Sequence, residues 1–302
     1  MKKIYIAGCG GMLGEAFYSN FKDEYILKCT DIDLNETWLE YLDFRNFEEY
    51  QNDVINFNPD YLFHLGAYTD LEFCELNADE TYRTNTLSVE NAVLIANKLD
   101  IPLLYISTAG IFDGKKNLYD DWDLPNPLGV YARSKFMGER FVIENAKRYL
   151  VCRAGWMMGG GPKKDKKFVQ KIMKQIKDGK RELYIVNDKD GTPTYTHSFA
   201  INVKKLIHTE LWGLYNLVCE GQTSRVLVAS EINKIIGMED EIKINEVDSS
   251  YFSKTYFAER PISENLDNKK LKLRNLSTMK DWKISLREYL EISYKDFLNP
   301  LK

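Results

Sequence analysis

The chain has 302 residues, 44% of them hydrophobic, 28% charged and 13% aromatic, a length that suits two lobes around one or two cores. Only 18 glycines and 8 prolines exclude a disordered, collagen-like or low-complexity chain. Lys and Arg number 41 against 45 Asp and Glu, a net charge of −4, so no overall charge drives the chain toward nucleic acid or an anionic membrane.

Met1–Gly8 begins basic but reaches glycine after four apolar residues, too short for a signal-peptide core. No apolar run approaches the roughly 20 residues of a membrane span, and a cytoplasmic location is expected. The five cysteines are odd in number, scattered and never Cys-x-x-Cys, and the three histidines are equally dispersed. Neither a disulfide framework nor a metal site is expected.

In chain order, residues 2–7 read as a strand, Gly8-Cys9-Gly10-Gly11-Met12-Leu13-Gly14 as a turn, 15–21 as a helix and 25–30 as a second strand. Further strands at 61–65, 103–107 and 149–152 alternate with helical stretches at 46–57, 79–99 and 130–147. This rhythm predicts an α/β fold with a doubly wound parallel sheet of Rossmann type. Past about Arg153 it loosens: a Gly/Pro/Lys-rich stretch, an amphipathic helix carrying Phe168, Ile172 and Ile176, and a strand at 183–186 suggest a smaller C-terminal α/β substrate lobe. The expected division is 1–153 for a dinucleotide domain and 154–302 for mainly the second lobe, with segments near 195–218 returning to the first.

Gly8, Gly11 and Gly14 lie between a strand and a helix. There they permit a tight turn, close approach of backbone to a pyrophosphate, and close helix–strand contact, while the helix N-terminus offers N–H donors. Met12 and Leu13 complete this candidate cofactor loop. Asp31, at the end of the second strand, is placed to accept hydrogen bonds from the adenosine ribose hydroxyls and to repel a 2′-phosphate, which favours NADH over NADPH. Asp33 could serve instead, or both could be turn residues. Asp43 lies where a third-strand loop could reach the adenine.

Tyr131-Ala132-Arg133-Ser134-Lys135 puts a phenol and an ammonium on one face of one helical turn. A phenol with a pKa of about 10 is a poor acid and base near neutrality, but Lys135 and an oxidised nicotinamide both favour phenolate, making Tyr131 a candidate general acid/base. Thr108 ends an apolar strand upstream, at the carboxyl edge where open α/β sheets bind ligands. Its hydroxyl can bond a substrate carbonyl or alkoxide oxygen.

With the glycine loop, Asp31, Thr108, Tyr131 and Lys135 in this order, the chain resembles the extended short-chain dehydrogenase/reductase superfamily and, within it, the dTDP-4-dehydrorhamnose reductase family. The resemblance extends through His64–Asp70, Ile111–Gly114, Pro127–Glu139, Arg153–Trp156, Gly191–Tyr195 and Arg260-Pro261 with Ser263, Leu266, Lys269, Trp282 and Leu286. It implies that Gly66, Ala67 and Tyr68 lie against the cofactor, NADH or NADPH, and that Trp156 lines a sugar pocket. It also implies a nucleotide-activated 4-keto-6-deoxy sugar as substrate, reduced at C4, with Lys135 on the cofactor ribose. Arg260 is a candidate phosphate ligand, since a guanidinium grips two oxygens. A homodimer is one assembly compatible with this.

Ala109-Gly110 departs from the resemblance, standing where the family usually has Asp-Tyr. The acidic pair of the related 4,6-dehydratases and the cysteine of the GDP-fucose synthase type are both absent, which leaves simple carbonyl reduction. The departure predicts a wider sugar pocket, matched by a different substrate or by Trp156 and the 119–123 loop closing over the site. Lys163–Lys167 reads as a solvated charged loop, with steering of a nucleotide diphosphate as the other reading. The rivals are a non-catalytic binding subunit, since the regulatory subunit of methionine adenosyltransferase resembles the same family, and a reductase or epimerase for another nucleotide sugar.

Overall fold

The first strand, β1 (Lys3–Ala7), sends Ile4 and Ile6 to one face and Tyr5 and Ala7 to the other, and all four are buried. A strand buried on both faces needs helices on both sides, and the computed structural model, which describes residues 1–295, supplies them. β2 (Ile26–Asp31), β3 (Leu39–Tyr41), β4 (Tyr61–His64), β5 (Leu103–Thr108) and β6 (Tyr149–Ala154) follow. Beyond Ala154 come β7 (Trp156–Met158), β8 (Glu182–Val186), β9 (Asp190–Gly191), β10 (Pro193–Tyr195), β11 (Gly213–Asn216), β12 (Thr223–Ser224), β13 (Lys243–Val247) and β14 (Ser263–Glu264).

The main sheet has the order β11-β6-β5-β4-β1-β2-β3 and is parallel at every pairing. Strand order reverses between β1 and β4, where open α/β sheets leave a crevice at their carboxyl ends. Ile4 and Ile6 join Phe17, Phe21 and Phe63 in the larger core, under the helices Met12–Phe21 and Thr196–Thr209. Tyr5 and Ala7 join Tyr50, Val93 and Tyr105 in the opposite core, under the helices Phe47–Phe57, Ser88–Leu99 and Val130–Asn145.

The expected helix over 79–99 is interrupted. Short helices at Leu71–Leu76 and Ala78–Tyr82 lead into a π turn at Arg83–Leu87 before Ser88–Leu99 begins. A π turn inserts a residue into the helical register, and the buried Asn85 on this one bonds Tyr68 and Ser134 instead of following the amphipathic face. Periodicity cannot report such a tertiary demand. Smaller sheets carry the rest of the chain: β7 with β10, β8 with β13, and β9 between β12 and β14. Residues of β7, β8, β10 and β14 wall the crevice from the other side.

Candidate active site

A cleft of about 1430 Å³ runs along that edge, larger than the roughly 300–1,000 Å³ of a typical single-ligand pocket. Gly8 leaves β1 with φ +75°, and a Cβ there would stand 2.3 Å from the Gly66 Cα. At Gly14 a Cβ would stand 2.1 Å from the Cys9 carbonyl oxygen. Gly11 differs, because its Cβ position opens on free space. Gly11 is also the N-cap of helix Met12–Phe21 and provides no side-chain cap, leaving first-turn N–H groups available to an anion. Two glycines are thus demanded by the fold and the third leaves a backbone cradle that suits a dinucleotide pyrophosphate. Met12 and Leu13 line the cleft beside it.

Asp31 also lines the cleft, and its carboxyl group is tied into the loop: Oδ2 accepts from the Gly10 N–H at 2.8 Å and Oδ1 from the Asp33 N–H at 3.0 Å. Asp43 is held by Arg45, whose Nε donates at 2.8 Å and Nη2 at 2.6 Å. The Arg45 guanidinium keeps its carboxyl below the usual carboxylate range. Arg45 also reaches Glu80 and the Tyr68 hydroxyl.

Gly66, Ala67 and Tyr68 line the cleft after β4. Phe44 packs so closely under Gly66 that a Cβ would stand 2.1 Å from its ring. Asn85 accepts from the Tyr68 N–H at 2.8 Å, donates to the Tyr68 carbonyl at 3.0 Å and donates to Ser134 Oγ at 3.1 Å, stapling this loop to the helix of Tyr131. His64 is buried between the Tyr50 hydroxyl and Ser88 Oγ, and burial lowers its pKa to about 3. It is a neutral internal hydrogen-bonding group.

Thr108 ends β5 beside Tyr131, and Thr108, Tyr131 and Lys135 all line the cleft. Thr108 Oγ1 accepts from the Gly110 N–H at 3.1 Å, and its own hydrogen faces Tyr131. Burial pushes the Tyr131 phenol well above its ordinary range and the Thr108 hydrogen bond partly opposes it. Burial also lowers Lys135 to about 7, with Glu139 acting the other way. The expected depression of Tyr131 by Lys135 therefore gives way to burial: a lysine whose own charge is disfavoured is a weak source of positive potential. Lys135 Nζ rests 4.2 Å from the centroid of the Tyr105 ring.

On the opposite wall, Trp156 lies on Gly191, where a Cβ would meet its ring at 2.2 Å, and its indole N–H donates to Glu264 Oε2 at 2.7 Å. The Arg225 guanidinium stacks 3.6 Å from the Trp156 ring centroid and 4.6 Å from that of Phe168. Burial lowers Arg225 to about 10 while Glu264 raises it. Arg260 lines the cleft with its guanidinium engaged by Glu72 at 2.8 Å. Asn85, Arg225 and Glu264 escaped the sequence reading. Glu264 falls inside the Arg260–Leu266 stretch already marked by resemblance, whereas nothing around Arg225 signals its place.

Two expectations are corrected. The Lys163–Lys167 loop is not simply solvated: the Lys164 side chain is 5% exposed, 3.3 Å from Glu36, and Lys167 Nζ donates to the Thr69 carbonyl at 3.0 Å. Gly159, Gly160 and Gly161, all at positive φ, turn this segment back against Met12 at the cofactor loop. The 119–123 loop does not close over the cleft. Tyr119 exchanges backbone hydrogen bonds with Asn265 and Asp267, and the buried Asp121 carboxyl accepts from the Asn216 and Lys270 N–H groups, which holds the loop to the C-terminal segment.

The RmlD substrate binding domain model matches residues 1–295. The spore coat polysaccharide biosynthesis protein SpsK of Bacillus subtilis is 27% identical over 96% of this chain and 98% of its own length. The dTDP-4-dehydrorhamnose reductase of Escherichia coli is 26% identical over 82% of this chain and 84% of its own. Among solved structures, the dTDP-4-dehydrorhamnose reductase of Bacillus anthracis in complex with NADP superposes with a TM-score of 0.87 at 27% identity, covering 97% of this chain and all of that one. The Yersinia enterocolitica enzyme gives 0.85 at 31% identity, covering 96% and 99%. A glycine cradle at the switch point, a threonine, tyrosine and lysine on one cleft and a match along almost the entire length together place the chain in the RmlD substrate binding domain family.

Proposed function

We propose that this chain is an NAD(P)H-dependent reductase of the C4 carbonyl of a nucleotide-activated 4-keto-6-deoxy sugar, of the dTDP-4-dehydrorhamnose kind, serving cell-surface polysaccharide synthesis in the cytoplasm. The observation that carries this reading is that Thr108, Tyr131 and Lys135 share one cleft with the Gly11 cradle. The names of its relatives, reductases and a polysaccharide biosynthesis protein, agree with it. Residues 1–153 are read as the cofactor domain and 154–302 as mainly the substrate lobe, with β11 returned to the first.

A dinucleotide would be held by the N–H groups at Gly11–Leu13, with Asp31 toward the adenosine ribose and Asp43, Gly66, Ala67 and Tyr68 along its length. When bound in reduced form it supplies the hydride. Tyr131, kept protonated at neutral pH by burial, donates its proton to the carbonyl oxygen. Thr108 donates a hydrogen bond to that same oxygen as charge develops on it. Lys135 holds ribose hydroxyls and, with a pKa of about 7, can pass a proton back toward Tyr131. Trp156 packs against the sugar, and Arg260 meets the diphosphate by exchanging its bond to Glu72. The test is oxidation of NADPH or NADH by the purified protein with dTDP-4-dehydrorhamnose. Rapid, sugar-dependent oxidation supports the reading; none with any nucleotide 4-keto sugar sinks it.

A further inference from the structure

Ala109 and Gly110 both lack the side chains that the resemblance leads one to expect, but the structure treats them differently. Ala109 is 1% exposed and packs with Ile111, Phe112, Tyr119 and Leu266, so its methyl group faces the core. Gly110 alone lines the cleft. The space beside it is not open: a Cβ at Gly110 would stand 3.3 Å from Glu264 Oε1 and 3.5 Å from Thr108 Oγ1. A bare backbone at 110 and a glutamate at 264 are therefore sterically matched, since a larger residue at 110 would push into Glu264.

The two oxygens of Glu264 have different duties. Oε2 accepts from the Trp156 indole N–H at 2.7 Å, which fixes the side chain against the stacked Trp156 and Arg225. Oε1 faces the position of a Gly110 Cβ in the cleft, a position that Thr108 Oγ1 borders as well. Two oxygens that border one position can each form a hydrogen bond of about 2.8 Å with a different substituent of one sugar ring placed there.

We propose that Glu264 reads the substituent beside the reacting carbonyl, with Oε1 accepting a hydrogen bond from the C3 hydroxyl of the nucleotide-bound sugar. This rests on the reductase reading above. It makes Glu264 a specificity-determining residue in the place opened by Gly110. A hydroxyl that meets a waiting acceptor is selected strongly, because the analogue lacking it leaves that acceptor, already half-buried beside Trp156, without its partner. The selection acts on the sugar and not on the dinucleotide.

The experiment compares kcat/KM for dTDP-4-dehydrorhamnose and its 3-deoxy analogue in wild type, Glu264→Ala and Glu264→Met, with NADPH binding followed by fluorescence. Wild type should prefer the 3-hydroxy sugar by on the order of 100-fold. In both variants the preference should fall to about threefold or less through loss of activity on the 3-hydroxy sugar, with NADPH affinity unchanged. The methionine variant keeps the length of the side chain, so the comparison survives if the alanine variant does not fold. A mere packing role for Glu264 would slow both sugars alike and leave the ratio intact. An intact ratio in a variant that binds NADPH normally overturns the proposal alone, whereas a wild-type enzyme that reduces neither of these sugars nor any other nucleotide 4-keto sugar overturns the reductase reading and this inference with it.

Discussion

The two walls of the cleft are built on different principles. The wall at β1 and β4 presents backbone: Gly8 and Gly14 are required by contacts with Gly66 and Cys9, and Gly11 opens the end of a helix. The wall at β7 and β14 presents side chains drawn from distant segments, with Trp156 set on Gly191, bonded to Glu264 and stacked under Arg225. A backbone wall recognises a ligand common to many enzymes through groups every residue carries. A side-chain wall can be altered at one position and accommodated at another, and Gly110 and Glu264 are neighbours of that kind, a Cβ at 110 standing 3.3 Å from Glu264 Oε1. Substitutions should therefore separate the two walls by what they disturb.

The largest effect is expected at the seam between them. Tyr131→Phe removes the proposed proton donor and should lower kcat by about 100-fold or more, while dinucleotide binding, measured by fluorescence, stays near wild type because the phenol is not part of the glycine cradle. Wild-type turnover in this variant would exclude Tyr131 as the acid.

Within the backbone wall, Gly8→Ala and Gly11→Ala should part company. The first places a Cβ against the Gly66 Cα at positive φ and should cost on the order of 2 kcal/mol or more in unfolding free energy. The second has room and should shift stability by less than about 1 kcal/mol, yet weaken dinucleotide binding roughly tenfold by occupying the pyrophosphate's place. Denaturant titration and ligand titration on the same two proteins make the comparison, and equal destabilisation would erase the distinction drawn between these glycines.

His64, beneath the same wall, links it to pH. Its folded pKa of about 3 lies below the unfolded value near 6.5, so the unfolded chain binds a proton that the folded chain refuses. The neutral form's advantage is complete above about 6.5 and is lost as pH falls toward 3, at roughly 1.4 kcal/mol per pH unit. His64→Gln should flatten that part of the acid limb in stability measured against pH. An unchanged slope would assign the limb to other groups.

The smallest effect concerns cofactor choice. Asp31 should favour NADH by repelling a 2′-phosphate, and Asp31→Ala should narrow the gap by a few-fold, about 1 kcal/mol. Because Asp31 also accepts from Gly10 and Asp33, the variant should weaken NADH as well as admit NADPH. Equal wild-type affinities left unchanged by the substitution would remove Asp31 from the ribose.

Local chemistry was legible wherever one short segment carried the whole requirement. The strand-turn-helix around Gly8–Gly14, the Tyr131/Lys135 spacing and Thr108 at a strand end could be read because glycine freedom, helical period and strand period act over a few residues. Asn85 could not, since its role depends on a π turn that brings it against Tyr68 and Ser134. The Lys163–Lys167 segment looked solvated for the same reason: only the fold reveals that Gly159–Gly161 turn Lys164 onto Glu36 and Trp38.

The sequence by itself determined the parallel sheet, the strand-turn-helix around the glycine loop and the helical spacing of Tyr131 and Lys135, because alternating burial and backbone conformation are properties of consecutive residues. Tertiary structure alone decided that burial, more than Lys135, governs Tyr131, that Ala109 faces the core, and that Glu264 stands across from Gly110. Those outcomes depend on distances between residues far apart in the chain, which crossover connections set and no local pattern encodes.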